Sequence, residues 1–289
     1  MILPRHLLLA SVLFSLSALA AEPDFPLAPA VECTARQGLP NFLAKVNQVG
    51  AEVKIGYFGG SITAQAGWRP KTLAYFQKSY PQAKISEINA AIGGTGSDLG
   101  VFRLKQDMLD HQPDLLFVEF AVNDGGAPPK QIFQCMEGIV RQTWKALPEC
   151  DICFVYTIAN NMIDEWKTGK LPRSVVAMEQ LAEHYGIPSI HFGREIAKLA
   201  AADRLIIAAP LPKTDAERAA LGNKVVFAPD KVHPHIETGH QIYFETAVRA
   251  FEELRSGGNP APHAMKTAFV EDNLENAKLV QFSRAKLSA

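Results

Sequence analysis

A serine follows two glycines at the end of an apolar run in Val53-Lys54-Ile55-Gly56-Tyr57-Phe58-Gly59-Gly60-Ser61-Ile62-Thr63. Glycines allow the sharp turn that would stand the Ser61 hydroxyl at the carboxyl edge of a sheet, and a helix starting there would aim its first N–H groups at developing negative charge. A serine hydroxyl is a weak nucleophile until a base removes its proton, and the base needs an acid to fix its tautomer. Asp230-Lys231-Val232-His233-Pro234 carries both, so that the carboxylate can reach Nδ1–H of His233 and leave Nε2 for Ser61. Two more segments could serve the same chemistry. Asn89-Ala90-Ala91-Ile92-Gly93-Gly94-Thr95-Gly96-Ser97 is a glycine-rich loop whose backbone can approach a ligand closely, and it matches neither the P-loop nor the dinucleotide-binding spacing. Phe120-Ala121-Val122-Asn123-Asp124 ends another apolar run in Asn123, an amide that can donate to an oxyanion without adding charge. Each segment alone also reads as an ordinary turn, helix cap or surface loop.

Their positions along the chain join them. Short β-rich runs at 53–58, 83–89, 115–121, 152–157 and 189–192 alternate with amphipathic stretches at 70–79, 99–109, 130–146 and 174–185, and a further helix is expected over 237–256. Alternation of this kind predicts a parallel sheet with helices on both faces, in which ligands bind beyond the carboxyl ends of the strands. Ser61, the glycine-rich loop and Asn123 follow the first, second and third strands, and Asp230 and His233 precede the last helix. All four segments therefore fall on one edge. The stretch from Asp203 to Pro229 carries no assigned structure, and the polar tail 257–289 is expected to pack loosely or to lead elsewhere.

The chain has 289 residues, enough for one catalytic domain with a sizeable core. It opens Met-Ile-Leu-Pro-Arg-His, continues in an apolar run and closes on Ala18-Leu19-Ala20, a small-x-small pattern. This reads as a signal peptide over 1–20, followed by a lead-in segment over 21–51, and predicts export to the periplasm or beyond the cell. The apolar run is shorter than the roughly 20 residues a spanning helix needs, so no stable membrane insertion is expected. A formal charge of −1 with both signs interspersed gives no footprint for a phosphate backbone, which argues against nucleic acid as a partner. Cys33, Cys135, Cys150 and Cys153 would meet an oxidising compartment, so pairing is possible and its pattern is open. The C-x-x-C of Cys150 and Cys153 has no second such pair to complete a zinc site, and buried or paired structural cysteines are the expectation.

On these blocks the chain resembles the SGNH hydrolases, also called the GDSL esterase and lipase family, over about residues 54–251. The blocks are Ser61 in Gly-Gly-Ser-Ile-Thr, Gly94 in Ile-Gly-Gly-Thr-Gly, Asn123 in Val-Asn-Asp and His233 in Asp-Lys-Val-His-Pro. The resemblance implies a hydrolase domain over 52–256, built as a three-layer α/β/α fold around a five-stranded parallel, flavodoxin-like sheet. It implies a Ser61, His233 and Asp230 triad, an oxyanion hole from the Ser61 and Gly94 N–H groups and the Asn123 amide, and no cofactor or metal. One departure is visible: Gly60 stands where the family name has aspartate. No G-x-S-x-G occurs, which argues against the α/β-hydrolase elbow.

The expected substrate is a small acyl ester, acetyl above all, on a carbohydrate. Export and the lack of a long apolar, lipid-engaging segment point that way, and Trp68 and Arg69 follow the nucleophile closely enough to hold a sugar ring and its hydroxyls. Trp68 is equally able to pack against the sheet. Other readings are a lipase or another ester hydrolase of the same family, a non-catalytic carbohydrate-binding protein on the same fold, and a metal-dependent hydrolase using His233, His235, Glu237 and His240.

Overall fold

The computed structural model describes residues 30–255 and 257–280; the segment read as a signal peptide lies outside them. The apolar runs become strands β2 (Glu52–Gly59), β3 (Lys84–Asn89), β4 (Leu115–Glu119), β5 (Asp151–Tyr156) and β6 (Ser189–His191), all mutually parallel. Every residue of β4 and β5 is buried, as expected of strands covered on both faces. A sixth strand, β1 (Cys33–Thr34), comes from the 21–51 segment and pairs antiparallel with β6, Cys33 opposite Ile190, so the order is β1-β6-β5-β4-β2-β3. Two residues carry no periodicity, and that strand was not foreseen.

From β2 the chain steps to β3 at one edge, then returns past β2 to β4, β5 and β6. Right-handed crossovers therefore put α3 (Trp68–Ser79) on one face and α4 (Ser97–Asp107), α5 (Pro129–Ala146) and α7 (Arg173–Tyr185) on the other. α1 (Pro40–Val46) lies against β2 and β5, α6 (Ile163–Lys167) packs on α8 (Gly193–Ala201), and α10 (Gly239–Leu254) packs on α3. The direction reverses between β2 and β4, and the carboxyl ends of those two strands carry Ser61 and Asn123.

The unassigned 203–229 stretch forms β7 (Leu205–Ala208), α9 (Asp215–Leu221) and β8 (Val225–Ala228), a separate two-stranded parallel sheet. The tail is not loose. Residues 257–280 strap α5: the buried Glu137 carboxylate accepts the Phe269 and Val270 N–H groups at 2.6 and 2.8 Å and the Tyr185 hydroxyl. Gln142 Nε2 donates to Leu274 O, and Leu274 N donates to Gln134 O. Gly138 makes that approach possible, because a Cβ there would lie 2.8 Å from the Leu274 backbone. Further along, His263 bonds the buried Asp151 at 2.9 Å and stacks on Trp144. The tail satisfies its backbone groups on α5 side chains, so a polar sequence docks firmly.

All four cysteines are free thiols. Cys150 and Cys153 are buried at the start of β5 with their pKa values pushed well up by burial, as structural side chains would be. Among the described residues no helix is long and apolar enough to cross a membrane.

Candidate active site

β2 ends at Gly59, and α2 (Ser61–Ala64) begins at once with Gly60 as its N-cap. Ser61 thus stands half-buried at a strand-to-helix turn. Its hydroxyl lies 2.8 Å from His233 Nε2, and His233 Nδ1 lies 2.9 Å from Asp230 Oδ2. These partners assign the tautomer: Nδ1–H donates to the carboxylate, and Nε2 is left to accept the serine proton. Asp230 Oδ1 also accepts the backbone N–H groups of Val232 and His233, both at 2.7 Å. Burial pushes this carboxyl up, but the hydrogen bonds from His233 and Val232 together outweigh it and pull Asp230 down to about 2. It stays ionised and oriented through neutral pH.

The loop carrying Asp230 and His233 rests on the unassigned stretch. His235 N bonds Phe227 O at 2.8 Å and His235 Nε2 bonds Ala209 O at 2.9 Å, so β8 and the end of β7 hold its base. Asn160 N donates to Lys231 O from the far side. His240 belongs elsewhere: Nδ1 accepts the Trp68 N–H and Nε2 donates to Gln65 Oε1. The three histidines of 233–240 therefore face different partners, and among the described residues no group of three or more His, Cys, Asp or Glu converges on a metal position.

The two loops proposed to meet an oxyanion flank Ser61. Ala90 and Ile92 extend the pairing of β3 with β2 by bonding Tyr57 O and Gly59 O. The chain then turns at Gly94, whose φ of +75° favours glycine. A Cβ on Gly93 would sit 3.5 Å from Ser61 Cβ. Asn123 opens a 3-10 turn over Asn123–Gly126 and is exposed. Its Oδ1 lies 2.2 Å from where a Cβ on Gly60 would be. That distance gives the missing aspartate a physical reason: the Asn123 side chain occupies the space a residue-60 side chain would need.

Trp68 and Arg69 do not face a substrate. Trp68 is 0% exposed, packed edge-on against Tyr57, Phe117 and Phe192. Arg69 is buried too, donating to Thr63 O and Glu87. Both are core residues of the first turn of α3, which starts so soon after Ser61 that it lies against the sheet. Sequence reasoning also passed over residues beneath the site. Arg103 donates to Ala90 O and Gly59 O and so ties the glycine-rich loop to the end of β2. Asp124, buried and pushed up to about 6 by burial, accepts Ser97 N at 2.9 Å and ties that loop to the Asn123 turn. Asp124 was legible only as the neighbour of Asn123; nothing marked Arg103.

A family model described as GDSL-like lipase/acylhydrolase matches residues 57–242. No curated protein sequence matches the chain. Among solved structures, a two-domain esterase active on acetylated mannans, co-crystallised with mannopentaose, superposes with a TM-score of 0.64 at 21% identity, covering 84% of this chain and 60% of that one. The chain thus spans about three fifths of that protein's length. An acetylxylan esterase from Geobacillus stearothermophilus gives a TM-score of 0.50 at 18% identity, covering 70% of this chain and 95% of that one. A gut microbial diltiazem-metabolizing enzyme gives 0.52 at 16%, covering 72% and 48%. At these identities the likeness is one of fold.

Proposed function

The chain belongs to the GDSL-like lipase/acylhydrolase family, and on that premise we propose that it is an exported serine esterase removing small acyl groups, acetyl above all, from carbohydrates. The observation that carries the reading is the line from Asp230 through His233 to Ser61, with contacts of 2.9 and 2.8 Å, at the reversal point of the sheet. His233 Nε2 takes the Ser61 proton as Oγ attacks the ester carbonyl. The tetrahedral oxyanion is met by the N–H groups of Ser61 and Gly94 and by the Asn123 amide. Collapse breaks the bond to the sugar oxygen, which leaves with the proton from His233. Water, deprotonated by His233, then releases acetate from the acyl-serine and restores Ser61.

Support for the acetyl and sugar specificity comes from the mannan-active and xylan-active neighbours in the same fold. With Trp68 and Arg69 in the core, sugar contacts must come from elsewhere on the rim. Rates on acetyl and palmitoyl esters of one chromogenic alcohol, and acetate release from acetylated manno- and xylo-oligosaccharides, test the proposal. Acetyl preference and glycan deacetylation, both abolished in Ser61→Ala with Tm unchanged, are expected. Full activity in Ser61→Ala would remove the nucleophile assignment, and palmitoyl preference would move the reading to a lipase.

A further inference from the structure

β4 reads Leu115-Leu116-Phe117-Val118-Glu119, a carboxylate closing an otherwise apolar strand. Glu119 is 1% exposed and sits opposite Gly59 in the β2–β4 register. Enclosing a carboxyl group is costly unless its oxygens are satisfied. Among the described residues no cation pairs with it, so hydrogen bonds alone must offset that cost. Two hydroxyls supply them: Thr63 Oγ1 donates to Oε2 at 2.8 Å and Thr157 Oγ1 donates to Oε1 at 2.7 Å, and the nearby Gly60 N–H also favours the charged form.

The identity of these donors matters more than their number. Thr63 lies two residues after Ser61, and Gly59, two residues before it, pairs with Glu119 in the sheet, so the carboxyl grips the nucleophile turn through Thr63 while its own residue is registered against the strand end that leads into the serine. Thr157 follows the last residue of β5, and Asn123 lies four residues beyond Glu119 in its own chain segment. A single buried group therefore indexes the turn that presents the Ser61 hydroxyl and N–H against the turn that presents Asn123. We propose that Glu119 is a positioning residue of the esterase site, setting the distance between the nucleophile turn and the Asn123 turn without touching substrate. This rests on Ser61 being the nucleophile.

Burial pushes the carboxyl up to about 7, although the hydroxyls of Thr157 and Thr63 pull it down. Both of its oxygens accept from hydroxyls, so exchanging it for an amide alters the hydrogen-bonding geometry at the turn. Glu119→Gln keeps the shape, but it has one acceptor oxygen where the carboxyl has two, and its NH2 must face a donor. The turn shifts by tenths of an ångström, which an oxyanion site registers and a folded core tolerates.

The experiment measures kcat and KM on a chromogenic acetyl ester, the rate at which a fluorophosphonate labels Ser61, and Tm, in the wild type and in Glu119→Gln. Positioning predicts that kcat and the labelling rate fall together by about tenfold or more, with KM within about twofold and the variant folded at the assay temperature. Glu119→Asp, which keeps both oxygens on a shorter arm, should recover part of the loss. Wild-type labelling at Ser61 with an unchanged rate in Glu119→Gln overturns the proposal and leaves the nucleophile standing. A loss that matches only the unfolded fraction overturns it also. Failure of the wild type to be labelled at Ser61 removes the nucleophile reading, and this inference with it.

Discussion

Gly60→Ala is the smallest change that should test how closely the nucleophile turn and the Asn123 turn are fitted. The Gly60 φ of −91° lies in a region open to any residue, so alanine adds no backbone strain there. Its Cβ, however, would lie 2.2 Å from Asn123 Oδ1 and 2.9 Å from Asn123 Cγ. Ordinary van der Waals contact starts near 3.4 Å, so the amide must retreat by roughly 1 Å, a displacement of the size that costs catalysis about 10²-fold. Asn123 is exposed at the head of a short turn, and its retreat loses little packing. Gly60 itself is buried, so the crowding should cost about 1–3 kcal/mol of stability, the usual range for overpacking, and kcat is to be compared in the folded protein. Loss of one oxyanion donor costs about 2.7–4 kcal/mol of transition-state stabilisation, or about 10²–10³ in kcat, and Gly60→Ala should approach that figure. The double variant with Asn123→Ala tests the cause. If alanine at 60 acts only by displacing the amide, the double variant should be no slower than Asn123→Ala alone, and the two effects should fail to add by almost the whole of either. Gly60→Asp, which restores the family spelling, should fare no better. Steady-state kcat and KM on an acetyl ester, with Tm alongside, supply the numbers. Retention of kcat within about threefold in Gly60→Ala, or losses that multiply in the double variant, would refute the steric argument.

Two further outcomes follow from groups outside the catalytic line. Burial lowers His240 to about 4 from 6.5, so the unfolded chain takes up this proton at higher pH than the folded one, and stability falls as pH drops through that window; His240→Asn should show a smaller loss of Tm between pH 7 and pH 5 than the wild type, and equal losses would mean the ring does not contribute. Gly138→Ala should destabilise although it improves helix propensity by about 1 kcal/mol, because its Cβ would lie 2.7 Å from Val101 and 2.8 Å from Leu274 and overpacking costs about 1–3 kcal/mol; a raised Tm would show that the strap yields freely.

β2, β4 and β5 were legible because they are covered on both faces and read as largely apolar runs, whereas β3, a mostly exposed edge strand, and the three-residue β6 were legible only as short β-rich runs between helical stretches. Ser61, Gly94 and Asn123 were placed by where those runs stop, and Asp230 and His233 by the start of the last helix. What failed was orientation. Trp68 begins α3 in a stretch of mixed polarity, Trp-Arg-Pro-Lys-Thr, where no period tells an inward ring from an outward one. The β7–α9–β8 unit escaped because its strands have four residues each, although Thr214 and Glu217 form a capping box whose spacing was present in the sequence. Glu119 was hidden by its own strand, since one carboxylate at the end of an apolar run reads as the strand reaching solvent. It is instead sealed under the turn that follows the neighbouring strand.

The 257–280 strap bears on the history of the fold as well as its shape. Val270 reaches Glu137 across 133 residues of chain, and His263 reaches Asp151 across 112. At the opposite end Cys33 pairs with Ile190. Closing such long loops is entropically expensive before any contact rewards it, so these ends are expected to dock after the sheet and its helices have assembled. Interactions made that late add nothing to the speed of assembly and must be broken early in its reversal, so they act on the unfolding rate. Glu137 and the notch at Gly138 would then work as a clasp that closes last, lengthening the lifetime of the finished molecule wherever cleavage of the opened chain outpaces its reclosing.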